Sequence, residues 1–393
     1  MLLPLLRDMQ AEGLLTIIQI LHYDIPACYY FVLAIDTPNG TGYLHLDCLH
    51  DKYGLNRYLI PSTMFLYGRR ELDDVYVPMP EVEAAYLLVK KTKKGTLTTE
   101  SVSYIKQLAD TSSILALCET VAGARFREAV SDLLQSDGDS ARFAAARAQM
   151  MSSLRRAGWR HPLLGSCRLF LTGIRVLGRL VKPTGIFVVL LGPDGSGKST
   201  IASHVLSNIG GGFRRVRHFH WRPGLLPRLG RPRAARHETG QAQSEAPSLK
   251  YKYGTLISLL RYGYYLLDFV IGGVLIAFLK RQTAVILAER YYYDYFVHPA
   301  RYAFRLPDWL FRLGLSVVPK PDLVVLLDND PEVIWRRKKE LPIEEVRRQI
   351  AQYRRIVSGT SVGYVVKTED SASVCADHVV QSILAATAKR NVD

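Results

Sequence analysis

The chain has 393 residues, a length that suits two or three domains. Apolar residues make up 48% of it and charged residues 22%, which excludes a disordered, collagen-like or coiled-coil chain. Five cysteines without a CxxC pair argue against a disulfide framework or a zinc ribbon and fit a reducing cytosol, whereas the net charge of +15 is unusual.

The excess positive charge lies in one segment. Residues 151–240 contain sixteen Lys or Arg and two acids, whereas the rest of the chain carries 35 bases and 34 acids. We therefore expect this segment to face something anionic, such as phosphates, nucleic acid or a membrane surface.

Residues 1–151 are predicted to form an α+β domain. Two β-like runs, Tyr29–Ile35 and Tyr43–Asp47, flank the turn-forming residues at positions 38–40 and predict a hairpin. Apolar residues recur at helical spacing from Pro80 onward, and an alanine-rich stretch at Phe143–Met151 predicts a further helix.

Residues 152–182 are predicted to form a basic linker helix. Leucines occupy one face of a helix over His161–Val181, and the opposite face carries Arg168, Arg175, Arg179 and Lys182. A packed linker with a solvated cationic face is the favoured interpretation. Peripheral contact of this segment with a membrane surface is the alternative.

Residues 183–393 are predicted to form a second domain of the three-layer α/β class with a parallel sheet. Unbroken apolar runs predict buried strands at Ile186–Leu191, Val285–Ala288 and Leu323–Leu327, and a weaker one at Tyr364–Lys367. Helical segments alternate with these strands, as in parallel sheets covered on both faces.

Two other segments of this domain have distinct composition. The apolar run Phe269–Leu279 is too short to span a bilayer and is flanked by Asp268 and Lys280, so it predicts a buried helix. Residues 228–247 are rich in Pro, Gly, Arg and Gln and predict a mobile loop.

The strongest motif is a phosphate-binding loop between the strand that ends at Leu191 and a helix predicted over Ile201–Asn208. Its glycines let backbone N–H groups curl around a phosphate, and the helix N-terminus adds a favourable dipole. Lys198 can reach the β- and γ-phosphates, and the Ser199 hydroxyl can bind Mg²⁺. The predicted nucleotide-binding residues of the loop are Gly192, Pro193, Asp194, Gly195, Ser196, Gly197, Lys198, Ser199 and Thr200.

Charged residues follow two other predicted strands. Glu289 and Arg290 come directly after the strand Val285–Ala288, where an acid can bind Mg²⁺ or its water and an Arg can hold a phosphoryl oxygen. Arg222 follows a short β-like run and could bind an acceptor phosphate with both arms of its guanidinium. His218 and His220 alternate along that run, but no third metal ligand lies near them in the sequence, so a metal site is not favoured.

Two further groups of residues have more than one interpretation. The basic run from Arg336 to Lys339 either closes over the transferring phosphoryl group or is a solvated charge run, and spacing alone leaves both open. Seven tyrosines between positions 262 and 295 either stack on a base or sugar or, as is commoner, belong to the core.

Taken in order, four motifs resemble the thymidylate kinase family of nucleoside monophosphate kinases. They are GPDGSGKST, HWRPG, ERYYYD and the long run that begins PKPDLVVLLDND. The similarity covers about residues 183–385 and is greatest to divergent bacterial thymidylate kinase-like proteins with a long N-terminal extension.

This resemblance implies particular roles. Asp194 would hold the acceptor's sugar hydroxyl, Arg222 would bind the acceptor phosphate, and the Glu289–Arg290 pair would position magnesium, water and phosphoryl oxygens. Arg337 would be the arginine of a mobile lid, and Thr368 would lie where the family packs adenine. Arg290 would also bind the acceptor.

The sequence also departs from the family pattern. Glu289 replaces the usual Asp, Trp221 precedes Arg222, and residues 228–250 do not match the short helix that contacts thymine in the family. These departures concern the acceptor base more than phosphoryl transfer.

The N-terminal domain weakly resembles the later part of a nucleotidyltransferase-like fold, with Asp47 where that fold keeps its third metal-binding acid. The paired acids of that fold are absent from the sequence, and one acid cannot build a two-metal site. The resemblance therefore implies a catalytically silent domain.

The leading hypothesis is an ATP- and Mg²⁺-dependent kinase that converts dTMP to dTDP in the cytoplasm, with a small nucleotide as acceptor and no nucleic-acid partner. A kinase for a sugar or glycan intermediate is one alternative, and a nucleotide-gated binding module on an anionic surface is another. A homodimer is left open.

Overall fold

A computed structural model of the chain shows a mixed α/β protein. It describes residues 2–22, 28–38, 40–49, 60–73, 75–136, 139–158, 182–227, 254–302 and 304–391, together with six isolated residues between 166 and 178. Apart from those six residues, the helix predicted over 161–181 lies outside the described residues, and so do its Arg168, Arg175 and Arg179. The loop predicted at 228–247 also lies outside them.

The strands are β1 (Thr16–His22), β2 (Cys28–Thr37), β3 (Gly40–Leu49), β4 (Arg70–Leu72), β5 (Val75–Val77), β6 (Ile186–Leu191), β7 (Arg215–Phe219), β8 (Ala284–Glu289), β9 (Leu323–Asp328) and β10 (Gly363–Lys367). The α-helices are α1 (Leu2–Ala11), α2 (Ser62–Leu66), α3 (Pro80–Lys94), α4 (Thr99–Leu108), α5 (Thr111–Ala122), α6 (Ala124–Leu134), α7 (Ser140–Gly158), α8 (Lys198–Asn208), α9 (Thr255–Arg281), α10 (Asp294–Val297), α11 (Asp308–Leu315), α12 (Pro331–Arg337), α13 (Ile343–Ser358) and α14 (Ala372–Asn391).

A five-stranded parallel sheet organises the C-terminal part of the chain, in the order β10-β9-β6-β8-β7. Every residue of β6, β8 and β9 is buried, because these strands are apolar on both faces and the sheet is covered on both. The predicted parallel sheet and its strands are therefore confirmed. In the central strand β6, Leu190 pairs with Glu289 of β8 and with Val325 of β9, so the carboxyl ends of these strands share one edge.

Aromatic side chains fill one core beside this sheet. Phe187, Phe269 and Phe311 pack with buried tyrosines that include five of the seven between positions 262 and 295, which are Tyr262, Tyr265, Tyr291, Tyr292 and Tyr295. Their rings meet mainly edge to face, for example Phe269 and Tyr291 with centroids 5.1 Å apart. Most of the tyrosine cluster is thus core, as the commoner interpretation predicts.

Helix α9 is longer than the predicted apolar run and has two different faces. Phe269 and Ile276 face the core, whereas Leu260 and Val274 on the opposite side are 69% and 73% exposed. The prediction of a buried helix is therefore right for one face and wrong for the other. By length and composition alone α9 could cross a membrane, but one such helix is weak support for a membrane span.

The N-terminal part contains an antiparallel sheet and a helical core. Strands β1, β2 and β3 lie side by side, and β2 and β3 form the predicted hairpin, although Asn39 in its turn is outside the described residues. Helices α3 to α7 bury apolar side chains against each other, including Leu88, Ile105 and Phe126. Helix α3 begins at Pro80, as predicted.

Backbone contacts divide the chain into two compact units. The first contains Met1–Ile20, Val32–His45 and Arg179–Asp393, and the second contains Leu21–Phe31 and Leu46–Gly178. Within the first unit, His45 Nε2 lies 2.7 Å from the carbonyl oxygen of Gly211, just after helix α8. Part of the N-terminal hairpin is thus packed in the same unit as the parallel sheet. The predicted domain boundaries at 151 and 183 stay a prediction.

Candidate functional site

The phosphate-binding loop turns between β6 and α8 at the carboxyl edge of the sheet. Gly192, Gly195 and Gly197 have φ of +150°, +90° and +86°, a backbone conformation that side chains rarely adopt. A Cβ at Gly195 would also lie 2.9 Å from the carbonyl oxygen of Ile334. Glycine therefore allows the loop to adopt this backbone conformation. At position 195 it also leaves room for the residues after β9.

Lys198 is the first residue of α8 and lies inside the loop. Its ammonium donates to the carbonyl oxygens of Gly192 and Pro193, both at 2.8 Å, and the residue is only 6% exposed. Burial and, second to it, the nearby Arg290 guanidinium lower the pKa of Lys198 to about 8. This buried cation can bind an anionic phosphate strongly, because such a ligand relieves the cost of burying its charge.

Ser199 and Glu289 contact each other directly at the mouth of the loop. The Ser199 hydroxyl donates to Glu289 Oε2 at 2.6 Å, and the Glu289 residue is 2% exposed. Hydroxyl and carboxylate oxygens are the donors that Mg²⁺ prefers, and Mg²⁺ is usually held by one or two such groups together with substrate phosphates. The two predicted metal-binding residues therefore form a donor set that fits Mg²⁺.

Two histidines on and after β7 approach the same carboxylate. His218 Nε2 lies 2.8 Å from Glu289 Oε1, and His220 Nδ1 lies 3.8 Å from Oε2. Burial alone would raise the pKa of Glu289, but hydrogen bonds from His218 and Ser199 lower it. Glu289 is therefore held as a carboxylate. Among the described residues, no cluster of three or more His, Cys, Asp or Glu could hold a metal ion.

Asp194 in the loop pairs with two arginines. Arg290, directly after β8, and Arg301, on the 3₁₀ turn Pro299–Tyr302, each place a guanidinium nitrogen on a different oxygen of its carboxylate. Burial would raise the pKa of Asp194, but Arg290, Lys198 and Arg301 hold it well below its usual range. Three cations thus surround one carboxylate.

The backbone at Arg290 is strained. This residue has φ of +66°, which is costly for a side chain with a Cβ, and its N–H donates to the carbonyl oxygen of Leu190 at 3.0 Å. Such strain is stored mostly at functional sites. Here it directs the guanidinium toward Asp194 in the loop.

Arg222 and the residues that follow it are held against helix α9 by Asp268. Its guanidinium is 2.7 Å from the carboxylate of Asp268, and the side chains of Arg222 and Asp268 are 4% and 0% exposed. Asp268 also accepts from the backbone N–H groups of Gly224 and Leu226. The structure therefore shows a buried ion pair at Arg222, and the acceptor-binding role stays a prediction.

The basic run after β9 lies close to the loop, but at a different residue from the predicted one. Arg337 ends α12 and is exposed, whereas the Cβ of the next residue, Lys338, would lie 3.1 Å from a Cβ at Gly195. The Lys338 ammonium pairs with Glu340 at 3.0 Å. The lid role predicted for Arg337 is not tested by this arrangement.

Thr368 follows β10 at the same edge of the sheet. It is 3% exposed, and Asn329 Nδ2 donates to its carbonyl oxygen at 2.5 Å and lies 3.1 Å from its hydroxyl. Asp328 at the end of β9 is bound by Arg354. Asp47, by contrast, lies within β3 and is exposed.

Sequence reasoning missed Arg301 and the pairing of Asp268 with Arg222. Neither Arg301 nor Asp268 belongs to a motif, since Arg301 follows the Glu289-Arg290 pair by eleven residues and Asp268 is a lone acid in an apolar helix. Lys338 belongs to the predicted basic run, but the resemblance assigns the lid role to Arg337. That isolation of Asp268 among apolar residues is a usable signal, because a buried carboxylate needs a cationic partner.

Comparison with known proteins gives one weak structural similarity and no sequence match. No family model matches the chain, and no curated protein sequence matches it. The solved structure of thymidylate kinase from Ehrlichia chaffeensis is similar over 50% of this chain and 97% of its own, with 14% identity and a TM-score of 0.33. At these values the similarity carries no argument about function.

Proposed function

We propose that this chain is a P-loop kinase that transfers the γ-phosphoryl group of ATP to a phosphorylated acceptor, with dTMP as the first acceptor to test. The observation that carries the proposal is the convergence of Lys198, Ser199, Glu289 and Arg290 on one glycine-lined loop at the carboxyl edge of a parallel sheet.

The chain's own groups account for binding and alignment. Backbone N–H groups of the loop and of the first turn of α8 bind the phosphates, and Lys198 supplies a buried cation. Arg290 pairs with Asp194 in the loop, where it can stabilise negative charge on the transferring group. Mg²⁺, held by Ser199 and Glu289, would neutralise further phosphate charge.

The proposal is tested with purified protein, ATP and Mg²⁺ against an acceptor panel. The panel contains dTMP, the other nucleoside monophosphates, sugar monophosphates and unphosphorylated sugars. We expect Lys198→Ala to lower turnover at least about 100-fold, because the buried cation at the phosphates is lost. Lys389→Ala, near the chain's end on α14, is a matched control that should leave turnover unchanged. Equal turnover by wild type and Lys198→Ala would contradict the proposal.

A second acceptor class is favoured by one observation. Asp268 occupies the Arg222 guanidinium and fixes residues 222–226 to helix α9, so this loop departs from the arrangement implied by the resemblance. A phosphorylated sugar or glycan intermediate is therefore a second candidate acceptor. Robust turnover of dTMP alone in the panel would exclude it.

A further inference from the structure

The turn after α10 adds an arginine to the phosphate-binding loop. Arg301 lies on the 3₁₀ turn Pro299–Tyr302 and reaches Asp194 Oδ2 with Nη1, while Arg290 takes Oδ1. The Arg301 side chain is 24% exposed and that of Arg290 is 12% exposed. Two guanidinium groups from separate segments therefore meet at one point beside the loop, and one of them is open to solvent.

Three cations lie near three carboxylates around the loop. Arg290, Arg301 and the ammonium of Lys198 act on Asp194, and Asp294 also acts on Arg290 and Lys198. Glu289, directly before Arg290, accepts a hydrogen bond from Ser199. Two converging guanidiniums present planar pairs of N–H donors, which match the oxygens of a phosphate. A phosphate that displaced Asp194 would therefore keep both guanidiniums paired.

A second observation points to a ligand at the same turn. His298 is 5% exposed, and its Nε2 has no hydrogen-bond partner among the residues that the structure describes. Buried polar atoms without a partner are rare, and a missing ligand or water is a usual reason. His298 lies within electrostatic reach of Arg301 and Asp194.

We propose that Arg301 and Arg290 form the clamp for the acceptor's phosphate group, and that Asp194 occupies both guanidiniums when the acceptor is absent. Arg222 is left out of the clamp because it pairs with Asp268 and donates to the carbonyl oxygen of Leu226. The inference rests on the proposed function and adds Arg301 to the residues that would bind the phosphorylated acceptor. When the phosphate binds, the Asp194 carboxylate becomes free to accept a hydrogen bond from an acceptor hydroxyl.

The first experiment compares wild type with Arg301→Ala and with the control Arg305→Ala, whose side chain is exposed on the segment after the turn. We expect Arg301→Ala to raise the KM for the acceptor monophosphate about 10- to 100-fold, because a charge-assisted pair of hydrogen bonds is lost. The KM for ATP should change less than about twofold. An unchanged acceptor KM, or equal increases in both KM values, would overturn the clamp.

The second experiment does not depend on turnover. MgADP is titrated into wild type, Arg301→Ala and Asp194→Asn by calorimetry, and inorganic phosphate is then titrated into each protein saturated with MgADP, so that the phosphate-binding loop is already filled. We expect Arg301→Ala to lose phosphate affinity and keep MgADP affinity, which also shows that the variant is folded. Asp194→Asn should bind phosphate more tightly, because the competing carboxylate is gone.

The two experiments separate the clamp from the proposed function. If wild type phosphorylates no acceptor in the panel, the proposed function fails, and the phosphate titration still decides the clamp. If wild type binds no phosphate beyond its nucleotide, or if Arg301→Ala binds phosphate as wild type does, the clamp is wrong even where kinase activity is present.

Discussion

Single residues at the site are constrained by backbone geometry as much as by charge. Gly195 combines φ of +90° with the Ile334 carbonyl oxygen 2.9 Å from where its Cβ would lie. Arg290 carries a full side chain at φ of +66°, and Asp268 places a carboxylate inside an apolar helix. On its own, each of these features would destabilise the folded chain, and neighbouring residues compensate for it. A substitution at each position therefore tests the described structure directly.

Gly195→Ala should weaken MgADP binding at least tenfold, because a Cβ forces the loop away from the residues after β9. Gly210→Ala is the matched control, since no atom lies within 4 Å of its Cβ position and its φ is not positive. Calorimetric titration of MgADP checks both variants. Equal affinities would show that the loop tolerates a side chain at Gly195.

Asp268→Ala should lower the free energy of unfolding by about 3–5 kcal/mol, because it leaves the Arg222 guanidinium buried without its partner. The double variant Arg222→Met/Asp268→Leu should recover much of that loss, since it removes both charges. Urea unfolding measures the two values. A single variant as stable as wild type would mean that the pair contributes nothing to folding.

At the scale of elements, the strands of the parallel sheet could be predicted from the sequence, whereas one face of helix α9 could not. Strands β6, β8 and β9 were predictable because unbroken apolar runs occur where both sheet faces are covered. The exposed face of α9 was not, because its apolar residues continue around the helix and periodicity cannot separate its two sides.

The site was predictable where a motif fixed local geometry, as in the loop around Lys198. It was not predictable at Arg301, because that guanidinium reaches Asp194 through a turn whose position depends on the packing of the tyrosine-rich core. Residues that come together from distant parts of the chain have no characteristic spacing in the sequence.

The two faces of α9 can be tested directly. Ile276→Glu should lower the free energy of unfolding by at least about 3 kcal/mol, because it places an unpaired charge in the core. Val274→Glu, two residues earlier on the exposed face, should change stability by less than about 0.5 kcal/mol. Urea unfolding distinguishes them, and similar losses would contradict the orientation of the helix.

The N-terminal cap of helix α5 should make part of the free energy of unfolding depend on pH. Asp110 caps its N-terminus by accepting from Ser113 N–H, and hydrogen bonds from Ser112 and Ser113 lower the pKa of Asp110 to about 2 from 3.8. Its contribution is therefore present above about pH 4 and is lost as pH falls toward 2. Asp110→Asn keeps a capping oxygen without the titration, so its stability should fall less steeply with acid over this range. Identical acid profiles would contradict this role.

At the scale of the whole molecule, the chain contains two units, each with its own buried apolar core. The phosphate-binding loop belongs to the first unit, which also includes Val32–His45 from the N-terminal hairpin. A ligand that binds the loop should therefore stabilise one unit and leave the other unchanged.

Calorimetric heating should show two transitions, and MgATP should raise only one of them. At 100 times its Kd, MgATP adds about 2.7 kcal/mol to the unit that binds it, which corresponds to a shift of about 5–10 °C. Lys198→Ala should abolish the shift. A single transition that moves as a whole would mean that the two cores unfold together.

The register of the parallel sheet has a consequence for synthesis on the ribosome. Strand β6 pairs with β8 and β9, and Val188 finds its partner Leu323 only after 135 further residues. At ordinary rates of translation this takes on the order of ten seconds, during which an entirely apolar strand lacks β9, and for most of that time it also lacks β8. The helices between residues 80 and 158 are complete before β6 is made. A nascent chain halted before residue 284, with neither neighbour of β6 made, should therefore bind a chaperone through β6, while its helical N-terminal core is already protected from proteolysis.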